Sequence, residues 1–381
     1  MGRTRLVSIA ALLAAGSVAL AACSSSSNNN KTSSPTVGST STSTGSSPTA
    51  GGGGATCASG ALNAEGSTAQ ANAMDAWRKA YQSACSGATV NYNPTGSGDG
   101  VTAFTKGQVD FAGSDSALDP TKGEIAAAQK RCGSVPLDLP MVVGPIAIAY
   151  KLKGVSKLVL DGPTLAKIFL GKIKTWNDPA ITKLNSGATL PATKITVFYR
   201  SDSSGTTQNF EKYLAATASS IFTSTPDKDS SKAGFAGQGK AKSQGVADAT
   251  SKTEGGISYT EFSYAVSSGL STAEIDNGSG PVQLSNATAS TAAGAAKVVG
   301  TGSDLSLKID YATKAKGAYP LILVTYEVVC TKYGKPATGT FVKNFLNYTV
   351  AGGQAGLAQL GYAPLPAALQ TKVKAAIATI S

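Results

Sequence analysis

Short strand-like runs alternate with helical patterns along most of the chain, and this alternation constrains the fold more than any other feature. Residues 69–81, for example, follow a strand-like run and place apolar side chains at the spacing of a helix with one buried face. Strands that alternate with helices predict an α/β protein built around a mostly parallel sheet. The 381 residues are enough for two domains, each with its own core. The strand-like runs are "ALNAEGS", "ATVNYNPT", "QVDFAGSD", "PMVVGPIAIAYKL", "KITVFYR" and "YPLILVTYEVVC".

The first 56 residues differ in character from the rest of the chain. Residues 1–22 contain two arginines, an apolar run and then small residues, which is typical of a secretory signal peptide. The tetrapeptide "LAAC" matches a bacterial lipobox, so we expect cleavage before Cys23 and lipid attachment to its sulfur. An uncleaved transmembrane helix is the weaker alternative because the apolar run is short. Residues 23–56 are rich in Ser, Thr, Gly and Asn and predict a flexible, lipidated tether that holds the body at the extracytoplasmic face of the cell membrane.

The chain is basic, with a formal net charge of +11 that falls when Arg3 and Arg5 leave with the signal peptide. A basic protein outside the cell attracts small anions, anionic lipid or polymer, and net charge does not choose among them. The lysines are scattered, without a basic run interleaved with aromatic residues, so we expect no nucleic-acid partner. Residues 215–256 predict a loop-rich region, and the lysines within 222–252 predict a solvated face.

Four loops rich in glycine and hydroxyl side chains follow strand-like runs. Three of them, "GST" at 66–68, "GSGDG" at 96–100 and "RSDSSGTT" at 200–207, lead into helical patterns. Such junctions lie at the carboxyl ends of strands, where α/β proteins bind ligands, and a helix N-terminus offers free N–H groups to an anion. Serine or threonine before a helix is ordinarily only an N-cap. Four such loops in one chain, one with an arginine and one, "AGSDSAL", with Asp115, predict a shared oxyanion site.

The residue types exclude several classes of enzyme and of metal site. The chain contains no histidine, which excludes a Ser-His-Asp triad and removes the commonest general base. The "GSGDGV" loop lacks the Gly-Lys-Ser/Thr ending of a Walker A loop, and the cysteine spacings resemble no zinc pattern. We therefore expect no catalysis, no metal and no other cofactor.

Several segments together resemble the phosphate-binding lipoproteins of ABC-type phosphate importers, most of all those of actinobacteria. The resemblance implies a two-domain α/β periplasmic-binding-protein fold of the mixed-sheet type, with the ligand in a cleft between the lobes. It implies capture of inorganic phosphate by hydrogen bonds without metal, and delivery to an ABC permease. It extends from about Cys57 to Ile380, and its specific segments are "GSTAQANAMDAW", "GSGDGVTAF", "VDFAGSD", "LDGPTLAKIFLGKIKTWNDPAI", "RSDSSGTT" and "YPLILVTYEVV".

The same resemblance implies a role for individual residues. Phosphate near neutral pH carries a proton and sulfate does not, so an ionised Asp115 would accept a hydrogen bond from phosphate and repel sulfate. Asp202 would hold Arg200, whose planar guanidinium suits a tetrahedral oxyanion. The implied phosphate-binding residues are Thr68 and Ser97 through their hydroxyls, Ala69 through its N–H, Arg200, Asp115, and Ser204, Gly205 and Thr206 at a helix start.

The expected domain boundaries follow from two crossings of the chain between lobes. Residues 57–142 and 319–381 are expected to form domain I, and residues 146–317 domain II. The crossings near Val143–Pro145 and Ala318–Pro320 would then form the hinge. Trp176 is expected to pack in a core rather than to stack on a ligand. We expect the protein to be a monomer.

Four cysteines remain after Cys23, and four cysteines allow three pairings. A short strand followed by a helix of about 16 residues returns the chain to the edge where it started, which brings Cys57 near Cys85. Cys132 precedes the strand that leaves domain I, and Cys330 ends the strand that comes back. Since neighbouring strands of opposite direction place both at the same end, the predicted pairs are Cys57–Cys85 and Cys132–Cys330.

Two functions of other classes stay open at this point. One is a secreted phosphate-ester hydrolase that uses the same hydrogen-bond donors, against which the absence of histidine argues. The other is a surface antigen or adhesin that retains the fold and has lost transport, against which the intact set of oxyanion residues argues.

Overall fold

The structure of the chain is a computed structural model, and it describes residues 54–381. The predicted signal peptide, the lipid site at Cys23 and the tether up to residue 53 lie outside the described residues. The strands are β1 (Gly60–Gly66), β2 (Ala88–Asn93), β3 (Phe111–Ser114), β4 (Pro136–Lys151), β5 (Val159–Asp161), β6 (Thr196–Arg200), β7 (Gln238–Lys240), β8 (Gly256–Glu261), β9 (Ser271–Thr272), β10 (Glu274–Asp276), β11 (Pro281–Val282), β12 (Lys297–Val298), β13 (Leu307–Lys308) and β14 (Ile322–Cys330). The helices are α1 (Ala71–Ala84), α2 (Ser97–Thr105), α3 (Glu124–Cys132), α4 (Gly162–Phe169), α5 (Pro179–Leu184), α6 (Gly205–Thr217), α7 (Lys242–Ser251), α8 (Phe262–Ser267), α9 (Asn286–Gly294), α10 (Pro336–Val350) and α11 (Ala367–Ala378).

The main sheet has nine strands and is mixed. Its order is β2-β1-β3-β14-β4-β8-β6-β7, with β9 paired to β4. The outer strands pair in parallel, as the alternation with helices predicts, whereas β14 and β4 pair antiparallel with each other and with their neighbours. The expectation of a mostly parallel sheet is therefore wrong at its centre, because the two long apolar runs enter and return in opposite directions.

The two central strands of the main sheet, β14 and β4, are long and buried. β4 is 16 residues long and buried in all but its last residue, and β14 is buried over all nine of its residues. A strand that is covered on both faces has no face in contact with water, which explains why both segments are nearly continuous apolar runs. They pair from Ile322 with Pro145 to Cys330 with Pro136, with a shift of register between Thr325 and Tyr326.

Two hydrophobic cores lie along this sheet. The first contains Trp77 and Phe345 and draws on residues up to Val143 and from Ala318 onward, together with alanines of α9 and Leu305. The second lies around Phe169. Trp176 belongs to the second core, as expected: it is fully buried and its indole N–H donates to the Gly255 carbonyl at 3.2 Å.

Both predicted disulfides are present. Cys57 and Cys85 have Cα atoms 5.3 Å apart, and Cys132 and Cys330 have Cα atoms 5.4 Å apart. The pairs close loops with sequence separations of 28 and 198, for which the chain-entropy model gives about 3 to 5 kcal/mol each. The second bridge fastens the end of α3 to the end of β14.

Within residues 54–381, no helix combines the length and the apolar character needed to cross a membrane. The same residues contain no group of three or more acidic, cysteine or histidine side chains placed to hold a metal ion.

Candidate oxyanion site

The loops that follow β1, β3 and β6 meet the N-terminus of α2 in one buried cluster. Ser67 and Ser97 both donate to the Asp115 carboxylate, and Thr68 hydrogen-bonds across to α7 through Ser243. The structure thus brings together every residue that the sequence assigned to the site. At most 3% of the surface of each of the following is exposed: Thr68, Ala69, Ser97, Asp115, Arg200, Ser204 and Thr206.

Glycine at position 205 allows the loops to approach this closely. A Cβ at Gly205 would lie 2.6 Å from the Ser97 hydroxyl oxygen and 2.6 Å from the Asp115 Cβ, closer than side-chain carbons approach one another. The backbone of α2 also touches the same loop, since the Gly98 N–H donates to the Ser203 carbonyl at 3.1 Å. The "GSGDG" and "RSDSSGTT" segments therefore face each other directly.

Asp115 is the acceptor at the centre of the cluster. Its Oδ1 accepts from Ser67 at 2.5 Å and from Thr325 at 2.8 Å, and its Oδ2 accepts from Ser97 at 2.9 Å. Each carboxylate oxygen has more than one lone pair, so the group can accept a further hydrogen bond. The backbone carbonyl of Asp115 is held separately by the amide of Asn209 at 2.7 Å.

Burial, together with the nearby charge of Glu261, raises the pKa of Asp115 to about 6, although the hydroxyls of Ser67, Thr325 and Ser97 favour its charged form. Near pH 7 the carboxylate is therefore mostly ionised and acts as an acceptor only. Ser97 has a single hydroxyl proton and directs it at Asp115, so its backbone N–H is the donor that it keeps available for a ligand.

Arg200 is fixed in place by Asp202, as the sequence predicted. Its Nε donates to Asp202 Oδ1 at 2.7 Å and a terminal nitrogen binds Oδ2. Burial works against the charge of both groups, but their mutual hydrogen bonds and attraction prevail, which raises the pKa of Arg200 and lowers that of Asp202. The other edge of the guanidinium faces hydroxyls, with Ser243 at 3.1 Å and Thr206 at 3.4 Å.

The helix α6 contributes its N-terminus to the site. The Ser204 hydroxyl oxygen caps it by accepting from the Thr207 N–H at 3.2 Å, which leaves the Ser204 hydroxyl proton free for a ligand. Gly205 and Thr206 lie in the first turn, where backbone N–H groups have no intrahelical acceptor. The helix dipole adds partial positive charge at the same place.

The loop from Ser67 to Ala69 is held from three directions. The Ala69 N–H donates to the Ser67 hydroxyl oxygen at 3.0 Å. Two tyrosine hydroxyls bind the loop carbonyls, Tyr264 to that of Thr68 at 3.0 Å and Tyr362 to that of Ala69 at 2.6 Å. The donors of this loop are thus positioned before any ligand arrives.

Glu261 is a member of the cluster that sequence reasoning missed. It ends β8 with its side chain fully buried, and Thr206 donates its hydroxyl proton to Glu261 Oε1. The Thr206 hydroxyl therefore points at a carboxylate, and the Thr206 backbone N–H is the donor it offers to a ligand. The signal was available, because "SYTEFSY" is another strand that runs into a helix.

Ser67, Ser243 and Thr325 were also missed. Ser243 lies where a loop-rich region was expected, but the structure places β7 and α7 there, so that expectation is wrong for residues 238–251. The expected solvated face is wrong at Lys228, whose side chain is 4% exposed and pairs with Glu124. Thr325 is 210 residues from Asp115 in sequence, so no local pattern links the two.

The chain is similar to known proteins both in sequence and in structure. The sequence profile described as "PBP superfamily domain" matches residues 29–352. Phosphate-binding protein PstS 2 of Mycobacterium tuberculosis is 46% identical over 325 residues, which cover 84% of this chain and 87% of that protein. Phosphate-binding protein PstS 3 of the same organism is 44% identical over 324 residues, covering 84% and 86%.

Among solved structures, a high-affinity periplasmic phosphate-binding protein (PfluDING) with bound phosphate superimposes with a TM-score of 0.68. The match covers 83% of this chain and 93% of that one, at 24% sequence identity. At that identity the likeness establishes the fold, a two-lobed periplasmic-binding-protein architecture of mixed α/β type.

Proposed function

The chain belongs to the phosphate-binding proteins of the PBP superfamily, and from this premise we propose that it captures inorganic phosphate outside the cell and delivers it to an ABC permease for import. The observation that carries the proposal is the buried cluster itself. It combines one arginine, fixed by Asp202, with many neutral donors and a single central acceptor, Asp115. Those are the groups that a protonated tetrahedral oxyanion needs.

Phosphate selectivity depends on Asp115. A phosphate ion with a proton donates to the ionised carboxylate, whereas sulfate brings only acceptors and would face it unpaired. A hydrogen bond missing from a buried charged group costs about 3 kcal/mol or more, which is about 100-fold in binding. The same carboxylate that makes the site less attractive to anions in general therefore favours phosphate in particular.

The proposed ligand set differs in detail from the one the sequence implied. The backbone N–H groups of Ser97, Gly205 and Thr206 would donate to the ion. The Ala69 N–H now donates to the Ser67 hydroxyl oxygen and would have to exchange that partner for the ion. The hydroxyls of Thr68 and Ser204 and the guanidinium of Arg200 complete the set. For Ser97 the backbone replaces the hydroxyl as the donor, because the hydroxyl proton is directed at Asp115. For Thr206, expected as a donor at the helix start, the donor is likewise the backbone N–H, because its hydroxyl proton is directed at Glu261.

Binding would proceed by closure of two lobes around the dehydrated ion. The lobes are proposed as residues 57–142 with 319–381, and residues 146–317, with hinges near 143–145 and 318–320. The first hinge region lies within β4, and the second lies just before β14 begins at Ile322, so the lobes would rotate about two neighbouring segments of the chain. The protein does no chemistry on its ligand in this scheme.

The body would act as a monomer at the outer face of the cell membrane. Cleavage after residue 22 and lipid attachment to Cys23 would anchor it, and residues 24–56 would tether it within reach of the permease. A lipid-modified cysteine with two or more acyl chains suffices for stable anchoring.

Titration calorimetry on residues 54–381 with phosphate and with sulfate tests the proposal. We expect tight binding of phosphate with a ratio of at least about 100 over sulfate, from the missing hydrogen bond at Asp115. No heat with phosphate, or equal affinity for both ions, contradicts the proposed function. Release of phosphate from a chromogenic ester by the same protein would instead indicate a hydrolase.

A further inference from the structure

Glu327 is a buried carboxyl group in an unusual setting. It lies in the middle of β14, its surface is 0% exposed, and neither carboxylate oxygen has a hydrogen-bond partner among residues 54–381. An ionised carboxylate without partners is expensive to bury, since its lost hydration is not replaced. A glutamate kept in such a place requires an explanation.

The neighbours of Glu327 lie over a glycine. Across the sheet Glu327 pairs with Gly113 of β3, two residues before Asp115. Because Gly113 has no side chain, other groups fill the space above it: a Cβ there would lie 2.1 Å from the Gln70 amide nitrogen and 2.5 Å from the Tyr92 hydroxyl. Since paired residues of neighbouring strands direct their side chains to the same face of the sheet, the Gln70 amide lies on the same face as Glu327.

The polar atoms in this space do not match if Glu327 is ionised. Among residues 54–381, Gln70 Oε1 is buried without a partner, and so are both oxygens of Glu327. All three atoms are then acceptors, and the hydrogen bond that the Gln70 amide nitrogen makes is to Tyr92. A proton on Glu327 would convert it into a donor that Gln70 Oε1 could accept from. Burial, together with the nearby charge of Asp115, raises the pKa of Glu327 well above its ordinary value, although the Gln70 amide favours the charged form.

A chain of hydrogen bonds connects this space to the oxyanion site. The Gln70 amide donates to the Tyr92 hydroxyl at 3.1 Å, and that hydroxyl donates to the Ser67 carbonyl at 2.7 Å. Ser67 in turn donates its own hydroxyl proton to Asp115 at 2.5 Å. The orientation of the Gln70 amide therefore affects the position of the loop that contains Ser67. Ser67 supplies one of the three hydroxyl groups that donate to Asp115.

We propose that Glu327 is a positioning residue for selectivity: as a neutral carboxylic acid it holds the Gln70 amide, and through Tyr92 and Ser67 it fixes the acceptor geometry of Asp115. The inference rests on the proposed function, since Asp115 selects phosphate over sulfate only there. Neutrality also matters for the ligand, because a further negative charge behind Asp115, in addition to that of Glu261, would oppose any anion in the site.

Two substitutions separate charge from shape. Glu327→Gln keeps the shape and a donor without any charge, so phosphate affinity and the phosphate-to-sulfate ratio should stay within about twofold of wild type, less than the loss of one hydrogen bond. Glu327→Leu removes the donor and leaves Gln70 Oε1 without one, and the ratio should fall about tenfold, the effect of about one misplaced hydrogen bond. Val328→Ala is the matched control: it removes volume at the next residue of β14, which points to the other face of the sheet, and should lower stability without changing the ratio.

Infrared spectroscopy on the wild-type protein tests neutrality without any binding measurement. The carbonyl stretch of protonated carboxylic acids should be present near pH 7 and should lose intensity in Glu327→Gln, while Glu211→Gln identifies the part of the band that belongs to Glu211. An unchanged band in Glu327→Gln, or a large loss of phosphate affinity in that variant, overturns the inference.

A double-mutant cycle tests the chain and does not depend on Glu327→Leu alone. Tyr92→Phe removes the link between Gln70 and Ser67, so it should lower the ratio by itself, and Tyr92→Phe with Glu327→Leu should lower it little further. Additive effects, or an unchanged ratio in both single variants, overturn the inference. If wild-type protein binds no phosphate, the proposed function fails, and the infrared result still decides whether Glu327 is neutral.

Discussion

Lys228 and Glu124 form an ion pair between the loop after α6 and the start of α3, with the Lys228 ammonium 3.0 Å from Glu124 Oε1. The Lys228 side chain is 4% exposed and that of Glu124 16%, so the pair is shielded from water. A second bridge joins the same two segments, since Lys122 lies 2.9 Å from Asp227. Under the proposed domain boundaries, both pairs connect the two lobes beside the oxyanion site.

Replacement of Lys228 by methionine should speed the release of phosphate. The variant keeps the volume of the side chain but leaves Glu124 without its partner in the closed arrangement, and a hydrogen bond to a charged group contributes about 1.5 kcal/mol or more, which corresponds to about tenfold in rate. Stopped-flow measurement of phosphate dissociation checks this. Lys157→Met is the control, because its pair with Glu274 is 3.4 Å long and its side chain is 72% exposed. Equal dissociation rates in wild type and Lys228→Met would show that the pair has no part in closure.

Asp115→Asn should lower the phosphate-to-sulfate ratio by at least about tenfold. The amide removes the negative charge that sulfate would face and adds an N–H donor, so sulfate gains while protonated phosphate loses its acceptor. Calorimetry with both ions on one preparation measures the ratio directly. A ratio that stays at the wild-type value would mean that selectivity comes from another group.

Arg200→Ala should reduce phosphate affinity more than Ser97→Ala does. The first change removes a charge-assisted donor and leaves Asp202 unpaired, whereas the second removes one hydroxyl whose proton is directed at Asp115. Arg200→Lys should restore only part of the loss, because an ammonium cannot form the planar fork with Asp202. Three equal and small effects in calorimetry would speak against a shared anion site.

Glu211 should make the ligand-free protein less stable as pH rises. Burial raises its pKa to about 8 from an ordinary value of 4.5, and the charges of Asp227 and Asp229 add to this, although the Asp227 N–H favours ionisation. Between pH 4.5 and about 8 the unfolded chain has lost this proton and the folded protein keeps it, so the free energy of unfolding falls by up to about 1.4 kcal/mol per pH unit from this group.

Urea unfolding of wild type and Glu211→Gln across that range measures the contribution of Glu211. The glutamine can still accept from the Asp227 N–H, which now bonds to Glu211 Oε2 at 2.8 Å. We expect the two stability curves to diverge as pH increases, with Glu211→Gln the more stable at pH 8. Parallel curves would refute a proton held by Glu211.

Cys23→Ser should release the protein from the membrane. Without the thiol no lipid can be attached, and the remaining tether of polar residues has no apolar segment to hold it. Phase separation in a mild detergent, with wild type and Cys23→Ser expressed in the same host, distinguishes a lipid anchor at Cys23 from an uncleaved membrane helix. Persistence of the variant in the detergent phase would favour an uncleaved membrane helix.

Local features of the chain account for the parts of the site that were predicted. The "RSDSSGTT" loop contains an arginine, the aspartate that holds it and a helix cap within eight residues. Their contacts join near neighbours in the chain and can therefore be predicted from the sequence. The disulfide Cys57–Cys85 likewise follows from one strand and one helix. Contacts of this kind depend on the spacing of residues along single elements.

Contacts between distant segments account for the parts that were missed. Thr325 reaches Asp115 only because β14 lies beside β3, and Ser243 reaches Thr68 only because α7 begins at the site. The burial of Lys228 has the same origin, since no pattern around it marks it as buried. The antiparallel centre of the sheet is a further case, as alternation of strands and helices does not specify the direction of two long apolar runs.

The sequence by itself thus determined the α/β class, the cysteine pairs and the loops that carry an anion site, because each depends on periodicity, turn chemistry or the length of neighbouring elements. Only the tertiary structure decided which hydroxyl protons point at Asp115 and Glu261 rather than at a ligand, and which acids are buried without partners. The physical reason is that hydrogen-bond direction and desolvation depend on every group within a few ångströms, and those groups come from segments that are separated in the chain, by 48 residues for Ser67 and Asp115 and by 210 for Thr325 and Asp115.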